Sequence, residues 1–294
     1  MTATIIDGKA VSNQILEELK AEVDLLREKG QQPGLAVILV GDDPASQVYV
    51  RNKERACKKL GIFSSKYCLP DTTPEEELIQ LIQKLNRDPN IHGILLQLPL
   101  PQAIDEKKVL DYISPNKDVD GFHPYNLGRL LAGDPIFLPC TPQGVQELLV
   151  RYQIPIEGQN VVIVGRSNIV GKPLAMMLVQ KAKAANATVS LCHTRTKNLK
   201  EFTSRADILI VACGKARMVT ADLVRPGAAV IDVGINRIDG KLVGDVDFEQ
   251  VSQISSFITP VPGGVGPMTI AMLMKNTIKA AKRFWEGEAT SFSF

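Results

Sequence analysis

The stretch VVIVGRSNIVGKP, residues 161–173, constrains the chain more than any other. Residues 161–164 are apolar and mostly β-branched, bounded by the polar pair Gln159-Asn160 and by Gly165. Strands buried on both faces read this way, and they belong to sheets covered by helices on either side. A glycine turn follows, and a helical pattern begins at Gly171-Lys172-Pro173. Proline suits a first helical turn, where a missing N–H costs little. Strand, turn and helix N-terminus together make an anion site, because free N–H groups and the helix dipole point at one spot. The pattern is not a standard one. G-x-G-x-x-G would need glycine at Ser167, and a P-loop would need four residues between its glycines and Ser or Thr after its lysine. Here five residues intervene and Pro173 follows Lys172, which excludes ATP or GTP binding by that motif. A dinucleotide site and a plain βα turn both remain open.

The continuation extends the pattern. Residues 188–192 (TVSLC), 208–212 and 229–233 read as further strands, alternating with helical segments. That predicts an α/β fold with a parallel, doubly wound sheet. In an NAD site an acidic residue near the end of the second strand binds the ribose 2′-hydroxyl. Here that end is His193-Thr194-Arg195, without a carboxylate, and Arg166 in the first turn can lie beside it. Arginine and hydroxyl groups suit a 2′-phosphate, so NADP is the better match than NAD, with solvated surface arginines as the alternative. Ala212-Cys213-Gly214 and Asp232-Val233-Gly234-Ile235-Asn236 end two of the strands with glycines, where a cofactor would lie or where ordinary turns occur. Thr141-Pro142 is read as the N-cap and first position of a helix leading into this domain.

The N-terminal half has its own alternation. Residues 8–30 are expected to form an amphipathic helix with Val11, Ile15, Leu19, Val23 and Leu26 on one stripe, ended by Gly30. A strand at 35–40, a helix at 45–60, a strand at 65–69, a helix at 74–86, a strand at 94–98 and a helix at 105–113 follow. On the second helix Tyr49 and Lys53, four residues apart, share a face. A hydroxyl and an amine so placed can orient a substrate and move a proton, although the same spacing is common on exposed helices. Gln97 interrupts an apolar strand just before Pro99-Leu100-Pro101 and faces either a ligand or a structural partner. In the polar loop 117–124, Asp118 and Asp120 lack the glutamate of an EF-hand; Asp120-Gly121 is either a turn or a carboxylate for the NH-rich edge of a heterocycle. Beyond a short strand at 256–259, the glycine- and proline-dense loop 259–269 precedes a last helix at 270–285, with Thr269 as its cap, and residues 286–294 are expected to fray.

Composition narrows the function classes. The 294 residues carry a net charge of +2, with lysines and arginines alternating with acids, so a nucleic-acid surface is not expected. The N-terminal MTATIIDGKAV has no signal-peptide pattern, and the uncharged stretch 250–274 is broken by Pro260, Pro262 and Pro267, so no membrane association is expected. Five widely spaced cysteines without C-x-x-C point to reduced thiols in the cytoplasm, and three dispersed histidines point to no metal.

Five segments in order carry a resemblance: PASQVYVRNK at 44–53, GILLQLPLP at 93–101, KDVDGFHPYN at 117–126, GRSNIVGKP at 165–173 and ITPVPGGVGPMT at 258–269. Over about residues 6–283 the chain resembles the bifunctional methylenetetrahydrofolate dehydrogenase/methenyltetrahydrofolate cyclohydrolase proteins. The resemblance implies two α/β domains, a catalytic one of residues 1–140 plus 270–294 and an NADP-binding one of residues 141–269, with the folate in the cleft between them. It implies oxidation of 5,10-methylenetetrahydrofolate to the 5,10-methenyl form by NADP+, then hydrolysis to 10-formyltetrahydrofolate. Lys53 would be the central catalytic group, tuned by Gln97. Tyr49 would orient the folate, and Asp120 would bind the pterin edge. Leu96 and Leu98 beside Gln97, and Pro262, Gly263, Gly264 and Val265, would contact the substrate. Gly165, Arg166 and Ser167 would hold the cofactor phosphates, Thr194 and Arg195 would stand at the 2′-phosphate, and Ile235 would lie against the nicotinamide. A homodimer is implied as well. Short-chain dehydrogenases also use Y-x-x-x-K, but their glycine loop precedes it. A shikimate-type dehydrogenase would lack the PVPGGVGPMT-like loop, and a mere folate-binding protein would have no need of the amine.

Overall fold

The computed structural model describes residues 2–288. Within them the chain packs into two units, one from the described part of Met1–Asn13 with Thr141–Thr269, the other from Gln14–Cys140 with the described part of Ile270–Phe294. Residues 289–294, part of the segment expected to fray, lie outside the described residues. Among the described residues no helix is long and apolar enough to cross a membrane.

The second of these units is built on a three-stranded parallel sheet in the order Phe63–Leu69, Gly34–Val40, Gly93–Leu96. The central strand, GLAVILV, is buried at every position, as a strand covered on both faces must be. The helix Pro44–Leu60 starts where Asp43 accepts the Ser46 N–H at 2.7 Å and ends at Gly61, whose φ of 79° is the left-handed C-cap geometry. The helix Glu75–Arg87 has acids in its first turn and Lys84 and Arg87 in its last, matching the dipole. It buries Leu78, Ile79, Ile82 and Leu85 against the sheet residues Ala36, Ile38, Ile94 and Leu96. Each such side chain contributes roughly 1.5–3 kcal/mol on burial. The third strand stops at Leu96, so Gln97 lies just beyond it and not within it as the apolar run predicts. An unexpected helix, Pro124–Leu131, follows the polar loop; His123 caps it by accepting the Tyr125 N–H at its Nδ1, 3.0 Å away. Its short length and internal Gly128 hide it in a reading based on periodicity.

The other unit holds a six-stranded parallel sheet in the order Thr4–Ile5, Phe257–Ile258, Ala229–Asp232, Ile208–Val211, Asn160–Val164, Thr188–Cys192. Thr4–Ile5 is a correction to the expected boundary. It pairs with Phe257–Ile258, so the chain's beginning packs with the sheet and not with the domain that follows it in sequence. A two-residue strand has no pattern to read; only its distant partner defines it. Asn160–Val164 sits between Thr188–Cys192 and Ile208–Val211, so the winding direction reverses beside it. Crevices at the C-terminal ends of strands at such a reversal bind ligands in open α/β sheets. The helix after the strand is Gly171–Val179, with Pro173 in its first turn. Two further helices start earlier than expected. One is Cys140–Arg151, which places Thr141 inside the helix instead of at its cap. The other is Val265–Trp285, which takes in Pro267 and Thr269. Proline is tolerated within the first turn, so Pro267 does not delay the helix.

Candidate active site

Tyr49 and Lys53 lie on one face of Pro44–Leu60, as their spacing requires. Lys53 is 7% exposed, and its Nζ donates to Gln97 Oε1 at 2.9 Å. Gln97 is held at both ends: its Nε2 donates to the Leu98 carbonyl at 2.7 Å and its backbone N–H to Ile38 O at 2.9 Å. Those bonds turn the amide oxygen toward the amine. Burial lowers the proton affinity of Lys53, opposed by the nearby Asp120 and Cys140. An amide oxygen offers no full negative charge to hold the proton, so Gln97 positions the amine without cancelling the effect of burial. Burial also raises the Tyr49 phenol, which stays protonated and able to donate at neutral pH.

The loop carrying Asp120 runs beside the edge strand. Ile94 N–H donates to Lys117 O at 2.8 Å, and a Cβ on Gly93 would lie 2.7 Å from Val119 Cγ1, so only glycine lets the loop come this close. The two aspartates divide the work. Asp118 is 3% exposed and spends its oxygens inside the loop, accepting from the N–H groups of Gly121, Phe122 and His123 and from Asn126 Nδ2 at 2.7 Å. Asp120 keeps part of its surface open. Protein packed around it pushes its carboxyl up, while the Lys53 ammonium pulls it down. Cys140, one of the five thiols expected to be reduced, is buried in this cluster. Its Sγ lies 3.3 Å from Val119 O, and burial and then Asp120 raise the thiol well above its usual range. Asn276 Nδ2 ties the same segment down through Val119 O at 2.8 Å and Leu138 O at 2.9 Å. Neither residue has a local motif, so their places emerge only from packing. Leu96 is a core side chain, whereas Leu98 is half-buried.

In the other unit Gly165 follows the strand Asn160–Val164 with φ of 141°, and a Cβ there would overlap the Ala212 carbonyl oxygen. A Cβ on Gly171 would overlap the Gly165 carbonyl in turn. The two glycines therefore let the turn, the helix start and the neighbouring strand end close up. Ser167 Oγ accepts the Val170 N–H at 3.1 Å, and Arg166 and Ser167 are exposed. Cys192 pairs with Val164 in the sheet register and its carbonyl accepts the Gly165 N–H at 2.9 Å, so the exposed Thr194 and Arg195 follow one strand and the exposed Arg166 follows its paired neighbour. His193 and Thr196 close that turn on each other, with Thr196 Oγ1 accepting the His193 N–H at 2.9 Å. Two exposed guanidinium groups at neighbouring strand ends fit a dinucleotide bearing a 2′-phosphate, whereas the first N–H groups of the helix, on Gly171 and Lys172, are engaged by Ser167. Ile235, past Ala229–Asp232, is 46% exposed. In the glycine-rich loop Pro262 is exposed and follows a cis peptide bond, while Gly264 and Val265 are buried. Lys9 N–H donates to Gly263 O at 3.0 Å, and Gly8 packs so closely on Gly264 that a Cβ would overlap its carbonyl. The N-terminal segment therefore already engages part of the backbone expected to meet a ligand.

Sheet, reversal point and glycine turn define one unit as an NAD(P)-binding α/β domain, and the other holds a buried amine on a glutamine oxygen. Comparison with known proteins agrees with both. A family model described as tetrahydrofolate dehydrogenase/cyclohydrolase, catalytic domain, matches residues 6–120, and its NAD(P)-binding counterpart matches residues 139–285. The chain belongs to the tetrahydrofolate dehydrogenase/cyclohydrolase family. It is 60% identical over 284 residues to the bifunctional protein FolD of Nitrosospira multiformis, covering 96% of this chain and 97% of that one. The crystal structure of the bifunctional FolD enzyme from Campylobacter jejuni is similar at 54% identity and a TM-score of 0.92, covering 96% of this chain and 99% of that one. The Trypanosoma brucei enzyme, solved with NADP cofactor and an inhibitor, is similar at 39% identity and a TM-score of 0.91, covering 96% and 98%.

Proposed function

We propose that this chain oxidises the methylene carbon of 5,10-methylenetetrahydrofolate and then hydrolyses the resulting 5,10-methenyl cation to 10-formyltetrahydrofolate. The observation that carries the reading is Lys53, buried, held on Gln97 Oε1 and lowered in proton affinity. Gly165, Arg166 and Ser167 would hold the phosphates of NADP+ and Arg166, Thr194 and Arg195 its 2′-phosphate, and the cofactor, when bound, would supply the hydride acceptor. Asp120 accepts the N–H groups of the pterin edge and fixes its orientation, and Tyr49 packs against the ring with its phenol protonated. In hydrolysis, water adds to the amidinium carbon while the neutral Lys53 amine takes its proton. The C–N bond to N5 then breaks as Lys53 returns its proton to that nitrogen, while the carbinol hydroxyl loses its proton to solvent and becomes the carbonyl of the N10 formyl group. Burial serves this step because it favours the neutral amine, the form that can act as base. Leu98, Pro262 and Gly263 complete the folate contacts, with Gly264 and Val265 contributing through the backbone.

Five unpaired cysteines and no membrane-spanning helix among the described residues support work in the cytoplasm, and the family likeness supports a homodimer, which sedimentation of the purified protein tests. The test of function is spectroscopic. The protein is mixed with 5,10-methylenetetrahydrofolate and either NADP+ or NAD+, and reduced nicotinamide and the methenyl species are followed separately. NADPH formation with little methenyl accumulation is expected. Methenyl accumulation would remove the hydrolytic half, and reaction with NAD+ alone would remove the 2′-phosphate assignment.

A further inference from the structure

Beside Ile235 two buried carboxylates organise three segments at strand ends. Asp245 is fully buried. Its Oδ2 accepts the N–H groups of Cys213 and Gly214 at 2.7 and 2.8 Å, and its Oδ1 accepts Asn236 Nδ2 at 2.8 Å. Its carboxylate lies so close to Gly234 that a Cβ there would overlap it. Asp232, 3% exposed, supports this arrangement from below. It accepts the N–H groups of Gly234 and Asp245 at 3.0 Å each and that of Val246 at 2.9 Å. Gly234 and Asn236 flank Ile235, so the backbone of this residue is pinned on both sides while its apolar side chain is left 46% exposed. A turn could be closed by backbone bonds alone. Burying a whole carboxylate to do it is costly unless every oxygen is satisfied, and here three donors satisfy it.

We propose that Asp245 is the positioning residue for hydride transfer: by clamping Cys213-Gly214 to the Gly234-Asn236 turn it holds Ile235 as a rigid apolar face for the nicotinamide ring of a pyridine dinucleotide. The inference rests on the placement of the nicotinamide at Ile235. The adenosine half of the cofactor, at Arg166 and Arg195, and the Lys53 cluster depend on other residues, so losing the clamp affects one part of the reaction.

The test uses the full chain with Asp245→Ala, Asp245→Asn, the exchange Asp245→Asn/Asn236→Asp, and Ile235→Ala. Three readouts are taken: kcat/KM for the dehydrogenase with NADP+, hydrolysis of supplied methenyltetrahydrofolate without nucleotide, and affinity for 2′,5′-ADP. Asp245→Ala is expected to lower the dehydrogenase kcat/KM about 10- to 100-fold, because three donors lose their acceptor. Hydrolysis and 2′,5′-ADP affinity are expected to stay within about twofold. Asp245→Asn keeps an oxygen for Cys213 and Gly214 but turns an NH2 toward the amide of Asn236. The exchange supplies a carboxylate for that NH2 and is expected to recover most of the loss. Parallel loss of all three readouts in both Asp245 single variants, or an unaffected dehydrogenase in Asp245→Ala, overturns the proposal. An impaired Ile235→Ala with a normal Asp245→Ala overturns the role of Asp245 alone, whereas an unimpaired Ile235→Ala overturns the nicotinamide placement itself.

Discussion

Replacing Gln97 by glutamate tests the central electrostatic claim with a change of one heavy atom. The amide oxygen that accepts from Lys53 at 2.9 Å becomes a carboxylate oxygen at the same distance. Two unit charges at that separation attract by about 6 kcal/mol at an effective dielectric of about 20, an upper bound of roughly four decades in proton affinity. Desolvating the new carboxylate takes back much of this, and carboxylate–cation pairs in proteins typically leave a 10- to 1000-fold change in the protonation ratio. The sign is definite. The carboxylate favours the ammonium, so the neutral fraction of Lys53 falls, and with it the supply of base. Hydrolysis of methenyltetrahydrofolate, followed without nucleotide by loss of methenyl absorbance across pH, is expected to slow by about 10- to 1000-fold near pH 7. The limb on which rate rises with pH is expected to move to higher pH by the matching amount. A slower enzyme whose limb stays in place, or moves to lower pH, refutes the reading of Lys53 as a base tuned by burial and Gln97.

Three further outcomes follow from the geometry. Arg166→Ala is expected to raise KM for NADP+ at least tenfold while changing that for NAD+ little, since only the former has a 2′-phosphate; equal effects remove the arginine from that role. Gly165→Ala places a methyl on the Ala212 carbonyl at a φ that L-residues avoid, and is expected to cost about 1–3 kcal/mol of stability and to weaken dinucleotide binding, measured by denaturant unfolding and titration with NADP+. His92, buried against Phe284 and Trp285 with Nδ1 accepting the Gly34 N–H, is pushed down to about 4, chiefly by burial. Between about pH 4 and pH 6.5 the unfolded chain therefore binds the extra proton, so stability falls as pH falls through that window, by up to about 2–3 kcal/mol. His92→Gln is expected to flatten this part of the stability–pH curve, read from denaturant midpoints at successive pH values.

Much of the candidate site is legible along the chain because its signals are local. The spacing of Tyr49 and Lys53 dictates a shared helix face. The run from Val161 to Pro173 dictates a strand, a turn and a helix start, and the absence of an acid after Cys192 speaks to the second ribose. Asp118 and Asp120 mark the limit of such reading. They are identical residues two positions apart, yet one is consumed by loop N–H groups and the other stays open beside Lys53. Gln97 reads as a polar break inside a strand, but Leu96 is the last residue in register with the neighbouring strand, and Gln97 follows it with only its N–H still bonded to Ile38 O.

Taken alone, the amino-acid sequence determined the alternation of strands and helices, the glycine turn, and the amine and carboxylates available for chemistry. All of these depend on neighbours within a few residues, through side-chain periodicity, capping and the steric freedom of glycine. Tertiary structure alone decided that Thr4–Ile5 closes the sheet of the dinucleotide unit, that Cys140 and Asn276 secure the loop beside Lys53, and that Asp245 gathers three strand ends around one carboxylate. Each of these joins groups distant along the chain. Their bonds exist only once burial has removed water as the competing partner, and no local pattern in a sequence records which distant donor will take its place.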